Sequence, residues 1–187
     1  MSLLSIVQEY MVYGFLHVLP KGFDHILFIA SLFFLNTNLK SVIVQCSIFT
    51  LAHTITLILG AYQIIPLYPN IVEPIIALSI VFTSLENIYM QSVSKWRILL
   101  IFIFGLIHGM GFASALQETN IPNHQFFVAL FSFNIGVEIA QIVILVCLYY
   151  AIGKWLQHYT WYKGKIVNPI SCCIACAAMY WAVQRML

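Results

Sequence analysis

The chain has 187 residues, of which 62% are hydrophobic and only 7% charged, against roughly a quarter charged in ordinary soluble domains. Its mean hydropathy of +0.95 assigns it to a bilayer. At about 20 residues per transmembrane helix it accommodates six or seven crossings, with no room for a soluble catalytic or nucleotide domain. Eight Lys and Arg against six Asp and Glu leave a net charge of +2, too small and dispersed for a nucleic-acid footprint.

Taken in chain order, apolar runs bounded by Pro, Gly, Asn and charge define seven segments, at 3–18, 22–36, 40–65, 72–91, 95–117, 124–152 and 166–186. The expected fold is all-α: a polytopic membrane helical bundle of six or seven transmembrane segments, forming one integral membrane domain over 1–187. The start, Met1 to Leu4, lacks the basic leader and small-residue cleavage site of a secretory signal, so the first segment is expected to be retained. The second segment is short and follows Leu19-Pro20-Lys21-Gly22. Pro20 removes an amide donor and Gly22 relaxes the backbone, so the first two segments read as a broken helix or a tight helical pair. Pro74 directly after Glu73 reads as a first-turn proline behind a capping carboxylate, with a helix start there.

Basic residues alternate between loops. Lys40, then Lys95 with Arg97, then Lys154, Lys163 and Lys165 mark three cytoplasmic loops by the positive-inside rule, leaving Lys21 and Arg185 on the far side. Tyr149, Tyr150, Trp155, Tyr159, Trp161 and Tyr162 gather around the last of those loops as an interfacial belt. The five cysteines, Cys46, Cys147, Cys172, Cys173 and Cys176, all lie in apolar runs, where packing is expected rather than disulfides or thiolate ligation. No lysine sits in a G-x-x-x-x-G-K-[ST] loop, so transport would draw on gradients or a partner.

The chemistry lies in the few ionisable residues inside the apolar segments: Asp24, Glu86 and Glu138 with His25, His53 and His108. Three unpaired carboxylates at membrane depth would cost on the order of 9 kcal/mol, at about 3 kcal/mol each. No Lys or Arg is read at comparable depth, which leaves protonation, protonated histidine or a bound cation as counter-charge. Helical spacing puts Thr50, His53 and Thr54 on one stripe, Ser79, Thr83 and Glu86 on another, and Asn134, Glu138 and Gln141 on a third. Gly105 and Gly109 would let a neighbouring backbone approach His108.

Imidazole and carboxylate without thiolate suit a divalent transition metal: nickel, cobalt or zinc. The expected metal residues are His17, Asp24, His25, His53, Glu86, His108 and Glu138, oriented by a second layer of Thr50, Thr54, Asn87, Asn134 and Gln141. Asp24 and His25 are adjacent on one helix, so one of the two is expected to face the site unless the break turns the backbone. Glu9, Glu118, His124 and His158 fall at segment ends and read as solvated or capping groups, and Glu73 as a cap or the guard of an entrance.

Five blocks in one order are similar to the HupE/UreJ family of hydrogenase and urease accessory membrane proteins. They are His17-Val-Leu-Pro-Lys-Gly-Phe-Asp24-His25; Phe49-Thr-Leu-Ala-His53-Thr; Val72-Glu73-Pro74 to Ser79 with Glu86-Asn87; Gly105-Leu-Ile-His108-Gly-Met-Gly111-Phe-Ala-Ser114; and Phe133-Asn134-Ile-Gly-Val-Glu138. Six residues separate His17 from Asp24, and Val18 follows the histidine where the hydrogenase-linked pattern has proline, so the resemblance is to a divergent branch. It implies a small polytopic nickel or cobalt permease of the prokaryotic inner membrane, with His17, Asp24 and His25 important for uptake and His53, Glu86, His108 and Glu138 matching in later blocks.

Two other classes suit the same residues. One is an intramembrane zinc-dependent hydrolase of lipid or peptide, in which Glu86 or Glu138 would serve as base to a zinc-bound water. The other is an accessory protein that holds metal without moving it. The expected partners are membrane lipid and the metal ion, with a second copy or a metalloenzyme-maturation protein besides.

Overall fold

The computed structural model describes residues 3–90, 92–117 and 125–187. Among these are seven helices and no strand: α1 (Leu3–Val18), α2 (Phe23–Leu35), α3 (Leu39–Ala61), α4 (Pro69–Tyr89), α5 (Arg97–Gln117), α6 (Phe126–Leu156) and α7 (Lys163–Met186). Helices α3, α4, α6 and α7 are each long and apolar enough to cross a membrane alone. Helices α1 and α2, of 16 and 13 residues, meet at a 68° bend over the four residues Leu19–Gly22 and qualify only as a pair. The break expected at Pro20–Gly22 is thus present. The chain is an integral membrane protein built as a helical bundle.

Three boundaries differ from the sequence reading. Helix α3 ends at Ala61, not near residue 65, because Gln63 adopts a left-handed φ of 57° and the amides of Ile64 and Ile65 fold back onto the Leu59 carbonyl. Ile64 and Ile65 are apolar and so extended the run without extending the helix. Helix α4 starts at Pro69, with Pro74 inside it, rather than at Glu73. Pro69 takes the first position, where a missing amide costs nothing, whereas Pro74 lies one turn further in and supplies no amide to the Asn70 carbonyl. The third difference concerns Arg97, which opens α5 buried rather than in a wet loop.

Contacts between named residues fix the helix directions. Small residues let α5 lie against α3: a Cβ at Gly105 would meet the Phe49 carbonyl oxygen at 2.6 Å, and one at Gly109 would overlap the carbonyl of His53. The register 49 to 105 and 53 to 109 makes these helices parallel. Gly14 meets Phe133, and Gly136 meets Met11, so α1 and α6 are antiparallel. Asn87 reaches Ser171, and Arg185 reaches Glu73, so α4 and α7 are antiparallel as well.

One end of the bundle therefore gathers the α1–α2 break, the start of α4 and the end of α7. The other gathers residues 36–38, Met90, 92–96 and 157–162, where Thr37 donates to Gln157 and Lys163 to the Met90 carbonyl. Lys40, Lys95, Lys154, Lys163 and Lys165 flank this second end, as the alternation of charge anticipated, and Lys21 and Arg185 lie at the first.

Candidate functional site

At the first end a cavity of about 400 Å³ opens between α1, α2, α4, α5 and α7. Its rim carries Lys21, Asp24, Glu73 and Arg185, and its wall includes His17, His25 and His108. Asp24 and His25 both line it, although they are sequence neighbours, because the cavity wraps the first turn of α2. A Cβ at Gly22 would overlap the His17 carbonyl, so this close turn needs glycine. Glu73, exposed in α4, stands at the entrance and does not begin the helix.

Below the rim four imidazoles from four helices converge. The ring of His17 lies 4.8 Å from His25 and 6.2 Å from His53, and His25 lies 5.9 Å from His53 and 5.5 Å from His108, centroid to centroid. His25, His53 and His108 are 8%, 1% and 2% exposed. Phenyl rings close round them: Phe112 lies 3.9 Å from His17, Phe49 4.9 Å from His108 and Phe28 5.3 Å from His108.

These imidazoles are short of partners. His17 Nε2, His25 Nε2, both nitrogens of His53 and His108 Nδ1 are buried without a hydrogen bond. Leaving such groups unpaired costs about 1–3 kcal/mol each. His108 Nε2 and Ser79 Oγ are joined at 3.1 Å. Because the Ser79 hydroxyl donates to the Ile76 carbonyl, the hydrogen between them belongs to His108 Nε2, and the bare lone pair falls on Nδ1.

The donor chemistry fits a borderline divalent ion. Two imidazoles sharing one tetrahedral ion at about 2.0–2.1 Å per nitrogen hold their ring centres roughly 5 Å apart, close to the separations here. As the side chains stand, no three His, Cys, Asp or Glu among the described residues close round one point. Binding would therefore require ring rotation, which keeps the centres in place while turning the nitrogens inward.

Of the seven expected metal residues, the structure brings together His17, Asp24, His25, His53 and His108. Glu86 and Glu138 stand apart. Glu86 accepts from Arg97 at 2.5 Å, with side chains 7% and 1% exposed. Arg97 also donates to Gln45 and to the Leu32 carbonyl. The expectation that no basic residue reaches the buried carboxylates is thus corrected twice, since Asp24 pairs with Arg185 at 2.9 Å. The loop between α4 and α5 is short enough to fold Arg97 onto the last turn of α4.

Glu138 accepts from Ser47 at 2.5 Å on the α3–α6 face and does not line the cavity. The expected orienting residues also differ. Thr50 donates to Gln141, Thr54 donates to Asn134, and Asn87 donates to the Ser31 carbonyl and Ser171, so these groups link helices to one another rather than orient the imidazoles. The group that does orient an imidazole is Ser79, one turn before Thr83 on the stripe noted in the sequence. His158 is exposed as expected; Glu9 is exposed too but lies in the middle of α1 rather than at a segment end, and Glu118 and His124 lie outside the described residues.

The family model described as "HupE / UreJ protein" matches residues 2–185. No curated protein and no solved structure matches the chain.

Proposed function

Because the chain belongs to the HupE / UreJ protein family, associated with nickel and cobalt accessory or transport roles, we propose that it is a permease for a divalent transition metal of the nickel or cobalt type. The reading includes a prokaryotic inner membrane. One observation carries it: a cavity rimmed by Asp24 and Glu73 leads to the half-buried His17 and the buried His25, His53 and His108, each with at least one ring nitrogen that is buried without a partner. The ion is cargo, partly dehydrated at Asp24 and the imidazoles, which bind it only in the unprotonated form.

Unlike a hydrolase, a permease must release what it binds. Protein purified in mild detergent without chelator is expected to carry little metal and to bind nickel or cobalt reversibly in titration calorimetry. His25→Ala and Asp24→Asn are expected to weaken binding more than tenfold, and Glu138→Gln to leave it intact. Reconstituted into vesicles, the wild type should take up radiolabelled nickel. About one zinc per chain surviving dialysis, or equal binding in all variants, would sink the permease reading.

A further inference from the structure

Arg185 belongs to the last turn of α7, and its guanidinium crosses the mouth of the cavity. It is held on three sides: Nη2 donates to Asp24 Oδ2 at 2.9 Å, Nη1 donates to the Glu73 carbonyl at 3.2 Å, and its Cζ lies 5.8 Å from the Trp181 ring. Lys21, the other cation at the rim, is exposed, and Asp24 Oδ1 is buried with no partner. One oxygen of the entrance carboxylate therefore holds a tethered cation while the other waits.

We propose that Arg185 is the selectivity residue of the entrance: a built-in monovalent cation that occupies Asp24 until a divalent ion displaces it. This rests on the permease reading above. The argument is one of charge. An entering sodium or potassium ion would exchange one unit charge for another at Asp24 and would give up the charge-assisted bond from Nη2, which Nη1 backs by its own bond to the Glu73 carbonyl, so it gains nothing. A divalent ion brings twice the charge to Asp24 and to Glu73 beside it, and then reaches the imidazoles, for which alkali ions have little affinity. Discrimination arises from a competitor built against the wrong ion as much as from contacts made to the right one. The same tether keeps the empty entrance near neutral in a low-dielectric setting, where a bare carboxylate would be costly.

The tether also has a cost that an experiment can read. While it holds Asp24, it competes with the cargo, so removing it should tighten nickel binding and admit alkali ions. Nickel titrations are made on purified wild type, Arg185→Gln and Arg185→Lys, each in sodium chloride and in N-methylglucamine chloride of equal ionic strength. The expected result is about tenfold tighter nickel binding in Arg185→Gln, equivalent to about 1.4 kcal/mol, with that gain eroded by sodium but not by the bulky organic cation. Wild-type affinity should be the same in both salts. Arg185→Lys, which keeps the charge without the two-point reach, should fall between them, and it serves as the test if the glutamine variant does not purify as a monodisperse species. A residue that merely ties α7 to α2 and α4 would give weaker or unchanged binding on removal, and that outcome overturns the proposal while leaving the permease reading standing. Absence of nickel binding by the wild type would sink both.

Discussion

The pairing of Glu86 with Arg97 decides how that part of the bundle tolerates change. Removing one member of a buried ion pair leaves the other charged and unpaired, at about 3–5 kcal/mol, whereas replacing both with neutral groups is often close to neutral. Arg97→Met is therefore expected to lower the unfolding midpoint in detergent markedly, and Glu86→Gln with Arg97→Met to recover most of the loss; equal destabilisation of single and double variants would argue against a charge effect. Ser79 works more finely. By fixing the hydrogen on His108 Nε2 it leaves Nδ1 free, so Ser79→Ala should weaken nickel binding about tenfold, in the range seen for partners of metal-bound histidines, with helical content by circular dichroism unchanged. Legibility in the sequence divided along the same line. The histidines and Asp24 were readable because ionisable groups in apolar runs are rare. The ion pairing of Glu86 was not, because its partner Arg97 follows Lys95 and reads as a cytoplasmic loop charge until α5 is seen to begin there.

Helices formed where apolar length dictated, and their ends moved where local backbone chemistry intervened. The run to residue 65 was apolar, yet Gln63 reversed it; Glu73-Pro74 looked like a start, yet Pro69 had already supplied one. Hydropathy measures burial in lipid and is blind to a single left-handed residue or to a choice between two prolines. The side-by-side placement of α3 and α5 had a clearer signal in Gly105 and Gly109. Any side chain at Gly109 runs into the His53 backbone, so Gly109→Val is expected to push α5 away, destabilising by about 1–3 kcal/mol as overpacked positions do and loosening nickel binding through His53 and His108. Gly164, where a Cβ would meet nothing within 4 Å, provides the matched control, and Gly164→Ala should change neither. Thermal unfolding followed by tryptophan fluorescence reads both.

The whole molecule has two chemically different ends, and its function depends on which faces the cytoplasm. Five lysines flank the end built from residues 36–38, Met90, 92–96 and 157–162; the cavity with Asp24, Glu73 and Arg185 opens at the other. Positive charge near short loops is retained on the cytoplasmic side, so the cavity should open outward, as a route for uptake requires. Helix α7 leads from one end to the other, from Lys163 to Met186, which makes it the segment to interrogate. Alkaline phosphatase, which folds only outside the cytoplasm, is expected to be active when fused after Leu187 and inactive when fused after His158, with a green fluorescent reporter giving the reverse pattern. Were phosphatase active at His158 instead, the cavity would face the cytoplasm, and the same imidazoles would have to serve export or metal storage. The orientation test thus bears on direction alone, independently of whether nickel binds. The lysine pattern supplied the orientation and the histidine pattern the contents, and only the antiparallel packing of α4 on α7 joins the two by bringing Arg185 back to the mouth of the cavity beside Asp24.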